Sequence, residues 1–206
     1  MIYEHEKREK KTRYTGPRPG FPEHDESLDR AMQKYLHGRG LSYPLAVSNG
    51  WYPAVYKGCD RMIIPCSNTL RVPYFQGRDI TGTHKLRYDS PASPRDDSIV
   101  LMWPDGRVRG MVVVEGPTDA LAAAQHGFLG VGLMGNSPTA EVKTAVASHA
   151  RTFSPVLVVP DRDRLEMGSE MVCFLRQCGI RVSMRILVDK DLAAMSAARR
   201  DMFLWL

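Results

Sequence analysis

Met111-Val112-Val113-Val114-Glu115-Gly116-Pro117-Thr118-Asp119-Ala120-Leu121-Ala122-Ala123-Ala124-Gln125 decides the fold class. Its first four residues form a continuous apolar run rich in β-branched side chains, the pattern of a strand buried on both faces. Thr118–Gln125 is alanine-rich and ends at His126-Gly127, where glycine suits the left-handed position after a helix. A strand passing at once into a helix is half of a βαβ unit. The alternation continues downstream: Gly130–Met134 reads as a strand, about 139–150 as a helix, Pro155–Val159 as a strand, about 168–178 as a helix, and Ile180–Val188 as a further strand. The predicted fold is therefore α/β, with a mostly parallel sheet carrying helices on both faces.

Three of these strands run into acid. Met111–Val114 leads to Glu115-Gly116, Pro155–Val159 leads through Pro160 to Asp161-Arg162-Asp163, and Arg181–Val188 leads to Asp189-Lys190-Asp191. Ligands of such sheets bind outside the carboxyl ends of the strands, so neighbouring strands would gather five carboxylates at one edge. Close like charges raise one another's pKa unless a cation neutralises them. Mg²⁺ takes one or two carboxylates and completes its shell with water and substrate phosphate. The chemistry implied is metal-assisted attack at a phosphate, with Mg²⁺ or Mn²⁺. A single acid at a loop start is also an ordinary helix cap, and Asp119 alone would do no more than favour the first turn of its helix. It is the order of three such motifs, each at a strand end, that carries the reading.

Upstream the pattern changes. Leu28, Met32, Tyr35 and Leu36 recur at helical spacing, with Asp25 or Ser27 as N-cap and Gly38 or Gly40 as the stop. The segment 51–89 is β-rich, with strand candidates at Arg61–Pro65 and Leu70–Phe75 separated by a turn at Cys66-Ser67-Asn68-Thr69. Residues 90–97 read as a loop and subdomain boundary. At the start, Lys7, Arg8, Lys10, Lys11, Arg13 and Arg18 outweigh Glu4, Glu6 and Glu9, and Gly16-Pro17-Arg18-Pro19-Gly20 blocks regular structure. The expected organisation is a flexible basic arm at 1–22, a small α+β subdomain at 23–97, the α/β domain at 98–192 and a short apolar tail at 193–206. That tail either packs on the body or docks on a partner.

The 206 residues are 43% apolar and 25% charged, values of a globular chain, which excludes a largely disordered one. No stretch approaches the roughly 20 apolar residues of a spanning helix. The polar N-terminus lacks the apolar core of a signal peptide, so a cytoplasmic location is expected. Basic residues number 28 against 23 acidic, a net charge of +5, which is compatible with a polyanionic partner. Cys59, Cys66, Cys173 and Cys178 show no CxxC spacing, so neither a disulfide framework nor a zinc site is expected.

Val112–Leu121, then Gly132-Leu133-Met134-Gly135, then Asp161-Arg162-Asp163 together resemble the Toprim domain shared by DnaG-type primases, topoisomerases and some nucleases. Further stretches resemble the catalytic core of the bacterial and phage primases within that group. These are Tyr35-Leu36-His37-Gly38-Arg39-Gly40-Leu41-Ser42, Arg61-Met62-Ile63-Ile64-Pro65, Phe75-Gln76-Gly77-Arg78-Asp79 with Lys85-Leu86-Arg87-Tyr88-Asp89-Ser90-Pro91, and Val188-Asp189-Lys190-Asp191-Leu192. The resemblance covers roughly 31–192.

It implies a Toprim, Rossmann-like sheet preceded by a small α+β primase subdomain. Glu115, Asp161 and Asp163 would be the catalytic and metal-binding core, with Asp189 and Asp191 as a second acidic pair and Gly116, Asp119 and Gly135 as structural positions of the motifs. The family's preceding subdomain offers basic residues to template and nucleotide, and the matching positions are Arg61, Arg78, Lys85 and Arg87. Trp51, Tyr52, Tyr74 and Phe75 are available either for the core or for stacking on bases. One departure stands out: the family's glycine three residues after the second aspartate is Glu166 here, and Gly168 follows two residues later, which would lengthen the loop into the helix. The implied function is Mg²⁺-dependent synthesis of short RNA primers on single-stranded DNA, a nucleotidyltransferase of phage or mobile-element type working with a helicase or other replisome protein. The alternatives are a Toprim nuclease and a non-enzymatic primase-like protein that binds DNA or a partner.

Overall fold

The computed structural model describes residues 20–67, 74–91, 98–134, 138–187 and 191–205. The basic arm through Pro19, the stretch 68–73, the loop 92–97, Gly135 and Asp189 lie outside the described residues. The Asp25 carboxylate caps a 3-10 turn at Glu26–Leu28, which runs directly into α1 (Asp29–Gly38). A second helix, α2 (Tyr43–Ser48), is short enough to leave no apolar period in the sequence. Its signals are local: Pro44 in the first turn, and the Ser42 hydroxyl accepting from the Leu45 N–H at 3.2 Å.

β1 (Tyr52–Tyr56), β2 (Cys59–Pro65), β3 (Phe75–Asp79) and β4 (Tyr88–Asp89) then form a four-stranded antiparallel sheet in chain order. Of the strand expected at Leu70–Phe75, residues 70–73 lie outside the described residues; β3 begins at Phe75, where Pro65 to Arg61 of β2 pair with Phe75 to Asp79. Gly77 hides this strand from propensity. A Cβ there would sit 3.0 Å from Cδ of Arg61, whose side chain lies across the glycine.

The second sheet holds β5 (Val100–Met102), β6 (Met111–Val114), β7 (Leu129–Gly132), β8 (Val156–Val159) and β9 (Val182–Met184) in the order β5-β7-β6-β8-β9. β6, β7, β8 and β9 are parallel, and β5 is an antiparallel edge. β9 stops short of the expected Val188. The Arg185 N–H still reaches the Val158 carbonyl at 2.9 Å, but the next ladder position is Pro160, which has no N–H to continue it.

α3 (Pro117–Gln125) lies on one face of this sheet, and α4 (Ala140–Ala150) and α5 (Leu165–Gln177) lie on the other. α5 starts three residues earlier than periodicity predicts, so Asp163 is followed by Arg164 and then helix. The loop is not lengthened. Gly168 belongs inside the helix, where a Cβ would come within 2.6 Å of Pro160 Cγ.

α3 is buried from Pro117 through Ala124 because it is covered twice, by the parallel sheet and by the N-terminal half. Gly130 of β7 permits the approach: a Cβ there would lie 2.0 Å from the Ala120 carbonyl oxygen. One apolar cluster joins Met32, Leu36, Trp51, Met62, Val112, Leu121, Val159, Leu192 and Leu204. The C-terminal tail therefore packs on the body. It forms a 3-10 turn at Leu192–Ala194 and α6 (Ala197–Trp205), held by Arg200, whose guanidinium donates to the Met195 and Gly40 carbonyls. All four cysteines are free. Among the described residues no helix is long and apolar enough to cross a membrane.

Candidate active site

The strand order reverses between β6 and β8. From β6 the chain crosses through α3 to β7 on one side, then returns past β6 to β8 and β9 with α4 and α5 on the opposite face. Such a reversal opens a crevice at the carboxyl ends of the two central strands. Glu115 leaves β6 into it, and Asp161 and Asp163 leave β8. β6 and β8 pair in register, Val114 beside Val159, so these acids depart from adjacent points.

Glu115 is largely buried. Its Oε1 lies 3.9 Å from Nε of Arg164, and its Oε2 is buried without a hydrogen-bond partner. Burial raises its pKa, Asp163 adds to the rise and Arg164 opposes it. Asp161 is pushed up to about 6, first by burial and then by Glu115, Asp191 and Asp163, again against Arg164. Asp191 enters from the C-terminal segment rather than from a strand end, since β9 finishes at Met184. Its Oδ1 accepts from the Ala194 N–H at 2.7 Å and lies 3.5 Å from Nη2 of Arg39.

Asp119 is more than a first-turn acid. It is buried in α3, where its Oδ1 accepts from the Ala193 N–H at 2.8 Å, and burial pushes its pKa up to about 7 with help from Asp191 and Asp161. It pins the segment that carries Asp191 against the mouth of the sheet. Gly116 gives that carboxylate room, since a Cβ there would lie 3.1 Å from Asp119 Oδ2. Electrostatics thus link Glu115, Asp119, Asp161, Asp163 and Asp191 into one acidic group.

Among the described residues no three histidine, cysteine, aspartate or glutamate side chains form a ready cage for a metal ion. The donors that are present still suit a hard divalent cation. They are carboxylate oxygens, mutually repelling, with one buried oxygen of Glu115 unpartnered, and Mg²⁺ needs only one or two of them beside water and phosphate.

The basic residues divide. Arg78 stands over the Tyr88 ring at 4.6 Å and the Tyr35 ring at 5.5 Å, with its Nε buried and unpartnered. Tyr88 is hydrogen-bonded to Thr118 in the first turn of α3, which places Arg78 beside the helix that carries Asp119. Lys85 and Arg87 are exposed on the connection between β3 and β4. Arg61 is buried instead, its Nη1 donating to the Gly77 and Leu86 carbonyls at 3.1 and 3.2 Å, so its charge is used inside the sheet rather than offered outward. Trp51, Tyr74 and Phe75 are core residues, 1–2% exposed, and so are withdrawn from any stacking surface; Tyr52 is half-buried. Reading the residues alone missed Arg39 and Arg164 as neighbours of the acids. Arg39 stands in the Tyr35–Ser42 stretch and Arg164 directly follows Asp163, but only the fold brings Arg39 to Asp191 and turns Arg164 back to Glu115.

No protein-family model and no curated protein sequence matches the chain. Solved structures do. In a structure of the bacteriophage T7 lagging-strand DNA polymerase interacting with primase domains of two gp4 subunits bound to an RNA/DNA hybrid and dTTP, the match has a TM-score of 0.56 and 20% identity. It covers 82% of this chain and 87% of that one. The crystal structure of the primase fragment of the bacteriophage T7 primase-helicase protein matches with a TM-score of 0.56 and 18% identity, over 92% of this chain and 80% of that one. At these identities the likeness is one of fold: the chain has the fold of a phage primase core.

Proposed function

We propose that this chain is a primase-like catalytic core that joins ribonucleotides into short RNA primers on single-stranded DNA, using Mg²⁺ or Mn²⁺. The observation that carries this reading is the convergence of Glu115, Asp161, Asp163 and Asp191 at the sheet's switch point, within a fold shared with phage primase domains. Glu115, Asp161 and Asp163 would hold the metal, and Asp191, with Asp189, would assist a second ion or the nucleoside triphosphate. A bound divalent cation there would neutralise the carboxylates and clamp the attacking and leaving oxygens of phosphoryl transfer.

The chain's own groups do the rest. Glu115, leaving β6 beside Asp161 and Asp163, would also be the group placed to take the proton of an attacking hydroxyl. Arg78 is half-buried, with two tyrosine rings holding its guanidinium plane, and would bring that fork to a phosphate oxygen. The T7 primase domains interacting with a polymerase and bound to an RNA/DNA hybrid and dTTP support nucleic acid, nucleotide and replisome proteins as partners here, and the primase fragment taken from a primase-helicase protein supports a helicase among them. The same parallel supports a phage or mobile-element origin.

The test is primer synthesis with single-stranded DNA, labelled ribonucleotides and Mg²⁺ or Mn²⁺, comparing wild type with Asp161→Asn/Asp163→Asn. Short products from the wild type alone are expected. Degradation of the template without any need for nucleotides would replace this reading with a nuclease. DNA binding unaffected by the double substitution, with no product from either protein, would replace it with a non-enzymatic binder.

A further inference from the structure

The acidic mouth contains its own cation. Arg164 follows Asp161-Arg162-Asp163 and is the residue from which α5 starts. Its backbone N–H donates to the Asp161 carbonyl at 2.9 Å, closing a tight turn that brings the side chain back toward β6. There its Nε faces Oε1 of Glu115 at 3.9 Å, while Oε2 of the same carboxylate is buried without a donor. Arg164 lowers the pKa of both Glu115 and Asp161, against the repulsion of the other acids. The pair is long, and the Arg164 side chain is 49% exposed, so the guanidinium can leave into solvent without breaking packed structure.

We infer that Arg164 is a resident counter-ion of the acidic site, neutralising Glu115 in the metal-free protein and displaced from it when a divalent cation binds. The inference rests on the proposed metal centre, and it gives that centre a built-in competitor. Metal entry would exchange a loose arginine pair for a divalent ion and would free Arg164, beside Asp163, to face the phosphates of an incoming nucleotide. The arrangement supplies part of the missing positive charge before metal arrives, and it sets a threshold concentration for loading.

Removal of the competitor should tighten metal binding. Mn²⁺ titration of the full chain, read by electron paramagnetic resonance of the free ion, is expected to show Arg164→Gln binding Mn²⁺ about fivefold to twentyfold more tightly than wild type at low salt, as for two opposed charges a few ångströms apart. The gain should shrink at high salt. Arg164→Lys, which keeps the charge, should stay near wild type. Arg162→Gln removes the same charge from the neighbouring exposed position and should change affinity by less than about twofold. Unchanged or weaker binding by Arg164→Gln, or an equal gain from Arg162→Gln, would overturn the inference while leaving the metal centre intact. Failure of the wild type itself to bind Mn²⁺ would instead overturn the metal centre, and this inference with it.

Discussion

Asp119 is the residue whose role changes most between sequence and structure. Its ordinary pKa of 3.8 rises to about 7 in the fold, chiefly through burial. Between these values the folded chain holds a proton that the unfolded chain releases. The stability it contributes is therefore complete below about pH 4 and is lost as pH rises toward 7. Asp161, raised to about 6, slopes in the same direction. In chelator, urea denaturation of the wild type should show stability falling from pH 4.5 to 7.5. Asp119→Asn keeps an oxygen to accept from the Ala193 N–H and carries no charge at any pH. It should come near wild type at pH 4 and exceed it by roughly 2–4 kcal/mol at pH 7.5. Parallel curves for the two proteins would mean that the Asp119 charge is compensated inside the fold.

At the scale of elements, the placement of Asp161 and Asp163 depends on how α5 meets the end of β8. Gly168 lets the helix pass Pro160, and Pro160 directly precedes Asp161. Replacement of a helical glycine by alanine ordinarily gains up to about 1 kcal/mol. Here the new Cβ would lie 2.6 and 2.9 Å from Pro160 Cγ and Cβ, and 3.2 Å from Met184 Sδ. Two of the three atoms belong to a proline ring that cannot rotate away, so the helix must move. Gly168→Ala should lose about 1–3 kcal/mol in urea denaturation, and primer synthesis should fall further than stability explains. Gly38, near the end of α1 with open space around it, is the control: Gly38→Ala should be neutral or slightly stabilising. An unchanged Gly168→Ala protein would mean that the contact with Pro160 is slack. The glycine's position was visible in the sequence as a departure from the expected motif, but its reason was not. The distance that matters lies between two elements, not along one.

For the whole molecule, the decisive fact is that the antiparallel and parallel sheets share an apolar cluster. α3 stands between them, and the C-terminal 3-10 turn and α6 close over it. With Asp119 tying α3 to Ala193 and Arg200 tying α6 to Gly40, neither half is covered without the other. Cooperative unfolding follows. A variant retaining only Trp51, buried in the N-terminal half, should show fluorescence and far-ultraviolet circular dichroism transitions at the same urea midpoint. Separated midpoints would mean that the halves are independently stable. The same closure positions the chemistry: Gln125 of α3 donates to the Gly40 carbonyl and accepts from the Ser42 N–H beside Arg39, and the turn after Asp191 packs on α3, so that Arg39 and Asp191 meet at the acidic mouth.

The sequence by itself determined the alternation of apolar strands and helices after Met111, and the arrival of Glu115, Asp161 and Asp163 at strand ends. Both are local properties, because hydrophobic period and the residue following a strand are set by chain neighbours. Propensity did not show the strand at Phe75–Asp79, since Gly77 is in it for the sake of Arg61. The sequence reading also overestimated β9, whose length is limited by Pro160 just past the end of β8. Arg61 illustrates the same division from the other side: a basic residue reads as available until the fold buries it. Only the tertiary structure decided that β6 and β8 are adjacent at the switch point, that Asp119 joins the acidic group, and that Arg164 faces Glu115. Strand order, burial and through-space charge depend on which distant segments pack together, and no local pattern carries that information.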